Sequence, residues 1–344
     1  MVCQPKVIFA KIFRILNKNT KIILNYLFGG GLFAWLSYSI YRQLSHQQNL
    51  KSTLAEMQTL VAEQGILILL LMGIMMMVNW GLEARKWQLL VRPLEYVPFK
   101  RAFMAVFSGV SVSVSTPNRV GEYGGRVLYL ANRHKLKAIA ATIVGSYSQL
   151  IVTIVMGLCG MIFYINNFEI IKSSQYFAPN FWEKILLGVL IMICVLIILL
   201  YFRLQIIVAI FDKVPILRKA KIFVLIIARY SAKDLRKLLL LSTLRYMVFS
   251  AQYLILLYAL GVTVVWWQGF LMISTIYLVM AIVPTIAIAE LGLRGQVSLY
   301  FLGLLSKNMA GIIAATVGLW LINLVLPAVI GCILLLGVKI FKDK

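Results

Sequence analysis

Apolar residues run along this chain in long blocks, at about 22–41, 65–81, 102–116, 138–165, 184–202, 238–260, 268–289 and 310–338. A helix needs about 20 apolar residues to cross hydrocarbon, so blocks approaching that length predict transmembrane helices. A helix of a soluble bundle would carry one apolar face instead. Two blocks break the pattern. The block 102–116 is too short to cross and ends in Ser115-Thr116-Pro117; 268–289 contains Pro284 and ends in Glu290-Leu291-Gly292. A second, partly apolar stretch follows each, at 127–131 and 297–305.

Composition agrees with a membrane chain. Of 344 residues 62% are apolar and 13% charged, with a mean hydropathy of +0.92. Soluble domains are about 45–50% apolar and about 25% charged. An ordinary soluble globule, a disordered tail and a disulfide scaffold are all excluded. The net charge of +23 would suggest nucleic acid in a polar chain. In a chain this apolar it follows from the positive-inside rule and anionic lipid headgroups, so no nucleic-acid partner is expected.

The distribution of charge predicts a topology. Segments 1–21, 82–101, 126–137, 203–237 and 339–344 hold 26 of the 34 Lys and Arg, whereas 42–64, 166–184 and 261–269 hold 4. The first group is expected on the cytoplasmic side, both termini included. Met1–Lys21, with five basic residues, reads as a cytoplasmic basic helix leading into the first span rather than a cleaved signal. Both flanks of 102–125 then share one side, so that stretch dips in and returns; 268–306 does the same from the other face. The expected fold is an all-α polytopic membrane protein with about six full spans and two re-entrant broken-helix hairpins. A short amphipathic helix is expected around Thr53–Gln64 in the outer loop.

The hairpins share a motif. Pro117 precedes Glu122 and Arg126, and Pro284 precedes Glu290 and Arg294, with glycines beside or between; Glu122 and Glu290 lie 168 residues apart. Similar elements inserted from opposite faces mark an inverted-topology repeat. The chain reads as one membrane domain over 1–344, with halves at about 1–200 and 238–344 and a basic amphipathic cytoplasmic connector at 203–237.

These motifs are where chemistry is expected. Proline and glycine free backbone groups that hydrocarbon cannot satisfy, and buried charges at membrane depth need partners or a function. Broken-helix N-termini and guanidinium groups suit an anionic headgroup, with phosphate the leading class. The candidate headgroup-binding residues are Arg119, Glu122, Arg126, Glu290 and Arg294, and each Glu/Arg couple, one helical turn apart, also suits a structural ion pair. Ser111, Ser115, Arg245 and Gln252 are candidate cavity-lining residues, although Arg245 by default snorkels to the cytoplasmic surface. Asn79-Trp80 and Asn323 with Pro327 give weaker signals. Four scattered cysteines and two isolated histidines predict no metal site and no disulfide framework, and no cofactor motif stands out.

The stretches Pro117–Arg126 and Pro284–Arg294, with their placement, resemble the flippase-like transmembrane domain of lysylphosphatidylglycerol synthetases. The resemblance covers nearly the whole chain and implies a lipid-translocating inverted-repeat fold that binds a headgroup near the re-entrant elements. It carries over to Arg119, Glu122, Arg126, Glu290 and Arg294 only. No counterpart of the soluble aminoacyl-transferase domain of the family's best-known members is expected within these 344 residues, so lysyl transfer is not implied. The expected function is non-enzymatic translocation of an anionic, aminoacylated or polyprenyl-phosphate-linked lipid across the cytoplasmic (inner) membrane. Two alternatives stand beside it: an integral-membrane transferase on lipid-linked sugars, and a non-transporting membrane partner of a cell-envelope complex. The partner expected in every case is a membrane phospholipid or polyprenyl-phosphate lipid.

Overall fold

A computed structural model describes residues 50–114, 116, 119–168, 179–202, 230–283 and 287–336, together with positions 38 and 41. Its described part is helical throughout. In chain order the helices are α1 (Leu50–Val91), α2 (Phe99–Val114), α3 (Gly121–Val127), α4 (Lys135–Asn167), α5 (Pro179–Phe202), α6 (Ala232–Ala259), α7 (Trp266–Ile282), α8 (Ala287–Leu302), α9 (Met309–Trp320) and α10 (Leu326–Leu336). The expected first span, 22–41 apart from positions 38 and 41, the body of the connector, 203–229, and Ser115, Pro117 and Pro284 lie outside the described residues.

Four stretches are long and apolar enough to cross a membrane: Gly65–Val91, Asn132–Asn167, Ala232–Ala259 and Met309–Leu335. Their outer faces stay apolar. Ile66 is 80% exposed, Leu67 70%, Leu240 60% and Ile333 64%. Apolar surface this continuous faces lipid rather than water. This is a multi-pass membrane protein.

Several boundaries differ from the sequence reading. Instead of a short separate helix at Thr53–Gln64, α1 runs unbroken for 42 residues, about 63 Å at 1.5 Å per residue. It also continues past residue 81 to Val91, so half of the presumed cytoplasmic segment 82–101 belongs to α1, with Glu83, Lys86 and Trp87 buried. The connector ends early, because Ser231 caps α6 through a reciprocal capping box with Asp234. Tyr230 then ties this start to the end of α1, its hydroxyl donating to Leu90 O at 2.6 Å.

The short helices pair up. The helix α2, 16 residues or about 24 Å, falls short of the roughly 30 Å hydrocarbon core, and α3 folds back on it. That contact runs through glycine: a Cβ on Gly125 would lie 2.6 Å from Ser108 O and 2.7 Å from Gly109 Cα. Helices α7 and α8 likewise pack together. The second helices of these pairs span Gly121–Val127 and Ala287–Leu302, starting earlier than the stretches 127–131 and 297–305 suggested. Gly160 brings α4 against α7, where an added Cβ would sit 2.2 Å from Leu271 O, and Gly331 brings α10 against Phe107 of α2.

The last span is continuous but widens to a π turn over Leu321–Val325. Pro327 supplies the reason: it has no N–H for the carbonyl four residues back, and its ring crowds that carbonyl. Outside the spans, Glu95 latches the loop after α1 to the start of α4. Burial pushes its carboxyl up, but the Ala131 N–H at 3.0 Å, His134 Nδ1 at 3.3 Å and Arg101 outweigh it and hold the group below the usual carboxylate range.

Candidate functional site

Charges from five parts of the chain converge in the interior. Glu83 on α1 is the hub of one cluster. Its Oε1 accepts from Arg126 Nη1 of α3 at 2.9 Å, and its Oε2 meets Arg245 Nη1 of α6 at 2.9 Å and Lys86 Nζ at 2.7 Å. Arg126 also bonds Glu122 one turn back on α3. Glu83, Lys86 and Arg126 are almost fully buried. A buried charge with one partner is costly, and here each carboxylate is met by guanidinium or ammonium.

The second cluster joins the two motifs. Arg119 Nη2, from the turn between α2 and α3, reaches both carboxylate oxygens of Glu290 on α8 at 3.0 Å, and Arg294 Nη2 reaches Glu290 Oε1 at 2.7 Å. Residues 171 positions apart are thus one ion-pair group. Local geometry aims Arg119: among the described residues it alone besides glycine has a positive φ, 55°. A left-handed residue with a Cβ costs roughly 1–2 kcal/mol. Thr116 Oγ1 accepts the Gly121 N–H at 2.8 Å and closes the turn, and a Cβ on Gly121 would lie 2.5 Å from Val112 O.

A cavity of about 260 Å³ opens between these groups. Arg119, Arg245 and Arg294 line it, with Glu290 as the one carboxylate in the wall among the described residues. Asn79, Trp80, Gln149, Tyr277, Trp320 and Asn323 contribute polar and aromatic surface. Arg245 does not snorkel. Its Nε donates to Asn79 Oδ1 at 3.1 Å, and its guanidinium stands 5.0 Å from the centre of the Trp80 ring. Asn79 Nδ2 in turn reaches Asn323 Oδ1 at 3.3 Å, on the π turn. The weak sequence signals at Asn79-Trp80 and Asn323 therefore belong to one wall.

The other sequence candidates sit elsewhere. Glu122 and Arg126 lie behind the wall rather than in it. Ser111 donates to Ser108 O within α2, and Gln252 donates to Met72 O between α6 and α1; neither lines the cavity. Ser115 is outside the described residues. Glu83 and Lys86 were missed because charge within five residues of an apolar block reads as a helix end. Their i,i+3 spacing and the apolar residues that follow them, Trp87 and Leu89-Leu90-Val91, were the available signal. Among the described residues no group of three metal-ligating side chains occurs.

Fold and site together define a polytopic helical membrane protein built around a cationic, ion-paired interior cavity. Residues 22–331 match the family described as the lysylphosphatidylglycerol synthase TM region, and the chain belongs to that family. No curated protein matches it.

Proposed function

We propose that this protein is a lipid translocase, non-enzymatic in itself, that moves an anionic lipid across the membrane with the headgroup held in the cavity. One observation carries the reading: guanidinium groups from three separate elements, Arg119, Arg245 and Arg294, converge on one cavity whose wall, among the described residues, holds a single carboxylate. Arginine's planar fork suits phosphate oxygens. Phosphate entering there competes with Glu290 for Arg119 and Arg294.

In this reading the two motif-bearing hairpins are the counterparts of an inverted-topology repeat, inserted from opposite faces, and the halves rock about the cavity in alternating access. The membrane is the cytoplasmic one, and the basic segments gather anionic lipid on its inner face. Family membership supports a phospholipid-related role. The test is headgroup sidedness in proteoliposomes carrying a fluorescent anionic lipid. Wild type is expected to equilibrate the two leaflets, and Arg294→Gln to slow this at least about tenfold, the equivalent of one charge-assisted hydrogen bond. Wild-type vesicles no faster than protein-free ones would overturn the reading.

A further inference from the structure

The cluster around Glu83 holds one more cation than its carboxylates use. Among the described residues it joins Lys86, Arg126 and Arg245 to Glu83 and Glu122, which leaves a surplus of positive charge inside the protein. Arginine already meets both carboxylates. Arg126 Nη1 lies 2.9 Å from Glu83 Oε1, Arg245 Nη1 lies 2.9 Å from Glu83 Oε2, and Arg126 Nη2 bonds Glu122. Lys86 Nζ, at 2.7 Å, shares Glu83 Oε2 with Arg245. Lys86 is thus the cation that the pairing can spare, yet its side chain is only 2% exposed. A buried charge without a counter-charge of its own is costly.

The kind of cation decides what can relieve the surplus. A guanidinium keeps its proton in a protein, whereas an ammonium can release one. If Lys86 gives its proton to water and becomes an amine, Glu83, Glu122, Arg126 and Arg245 balance to zero. Protonating either carboxylate would enlarge the surplus instead. The charged groups that face Lys86 are Glu83 of its own helix, Arg245 of α6 and Arg126 of α3, with Glu122 behind Arg126. Helix α4 presents Gly145, where an added Cβ would lie 3.6 Å from Lys86 Cε. The link to the cavity is direct, because Arg245 both shares Glu83 Oε2 with Lys86 and lines the cavity wall. Side-chain exposure falls from 22% at Arg245 through 6% at Glu83 to 2% at Lys86, so Glu83 Oε2 is the first acceptor on the proton's way out. An anion beside Arg245 supplies the negative charge that the cluster lacks and holds the proton on Lys86.

We infer that Lys86 couples anion binding to proton uptake: it carries a proton while an anion occupies the cavity and is a neutral amine while the cavity is empty. Linkage is reciprocal, so the anion tightens the proton and the proton tightens the anion. The inference rests on the translocase reading for its consequence in transport, whereas the coupling itself is read by binding alone. A lipid with one negative charge then moves with one proton, and no net charge crosses the membrane. A pH gradient drives such a movement and a membrane potential does not.

The experiment uses the purified full chain in neutral detergent, with phosphatidylglycerol as the probe because its phosphodiester keeps a single charge near neutral pH. Wild type is expected to bind more weakly as pH rises, approaching about tenfold per pH unit where one proton is coupled. Lys86→Met is neutral at every pH and leaves each Glu83 oxygen an arginine, so it is expected to fold and to bind weakly and without pH dependence. Lys86→Arg is charged at every pH and is expected to keep the tight binding of wild type at low pH throughout. Titration calorimetry in two buffers of different ionisation enthalpy counts the proton directly. Wild type is expected to take up as much as about one proton per lipid bound, and both variants none. No uptake by wild type, or one pH profile shared by all three proteins, overturns the inference. So does Lys86→Arg with the wild-type profile, which makes Lys86 a structural counter-ion even if Lys86→Met does not fold. Leaflet exchange in proteoliposomes under an imposed pH gradient or membrane potential then tests transport. The gradient is expected to drive wild type, and the potential only Lys86→Arg. Proton-linked binding without exchange in any protein supports the coupling and overturns translocation.

Discussion

Arg126 and Arg119 show how alike two arginines of one motif look in sequence and how differently they are placed. Arg126 is enclosed, its guanidinium spread between Glu83 and Glu122, and a Cβ on Gly109 would press on its Cγ. Arg119 keeps a side chain 39% exposed at the cavity, where its ion-pair partner among the described residues is Glu290. Replacing Arg126 by methionine leaves Glu122 unpaired and Glu83 short of one cation. The expected result is a loss of about 3–5 kcal/mol of stability, the scale for breaking a buried ion pair from one side. Arg119→Gln is expected to lose about 1 kcal/mol or less, since a partly exposed pair contributes little, while impairing lipid exchange. Chemical unfolding of both variants in detergent, beside the sidedness assay, checks the contrast. Equal stability losses would make Arg119 a structural counter-ion.

At the scale of elements, small residues decide how close the helices come. Without a hydrophobic driving force between helices in lipid, association depends on backbone approach and packing. Gly125 and its neighbour Gly124 separate that effect from helix propensity. A Cβ at 125 collides with the backbone of α2, whereas one at 124 meets nothing within 4 Å. Gly125→Ala is expected to cost about 1–3 kcal/mol by overpacking. Gly124→Ala is expected to be neutral or stabilising by about 0.5–1 kcal/mol through reduced chain entropy. Thermal unfolding of the two purified variants decides it, and equal shifts would mean that α2 and α3 are not in contact. The same scale shows why α1 was read short. Glu83 and Lys86 look like the solvated end of a helix that stops near residue 81. They are tolerated inside only because Arg126 and Arg245 arrive from α3 and α6.

For the whole molecule, the partition of Lys and Arg makes a topological prediction. Single cysteines at Gln175 and Ala220 are expected to differ in a whole-cell assay. A membrane-impermeant maleimide should label Gln175→Cys and spare Ala220→Cys until the cells are opened. The reverse pattern would invert the orientation and remove the basis for hairpins inserted from opposite faces.

Sequence alone determined the membrane class, the approximate positions of the long helices and the two Pro…Glu…Arg motifs. Each depends on local physics: the cost of apolar surface in water, and of charge and broken backbone in lipid. The Glu122–Arg126 and Glu290–Arg294 couples were legible for the same reason, since one helical turn brings them together. Other things were settled only by tertiary structure. Arg119 crosses to Glu290, Glu83 gathers cations from two other helices, and Asn79 meets Asn323 across 244 residues. No local spacing encodes such pairs. They exist because the packing of helices distant in sequence brings long polar side chains within reach of one another, and because a buried charge is costly without a partner.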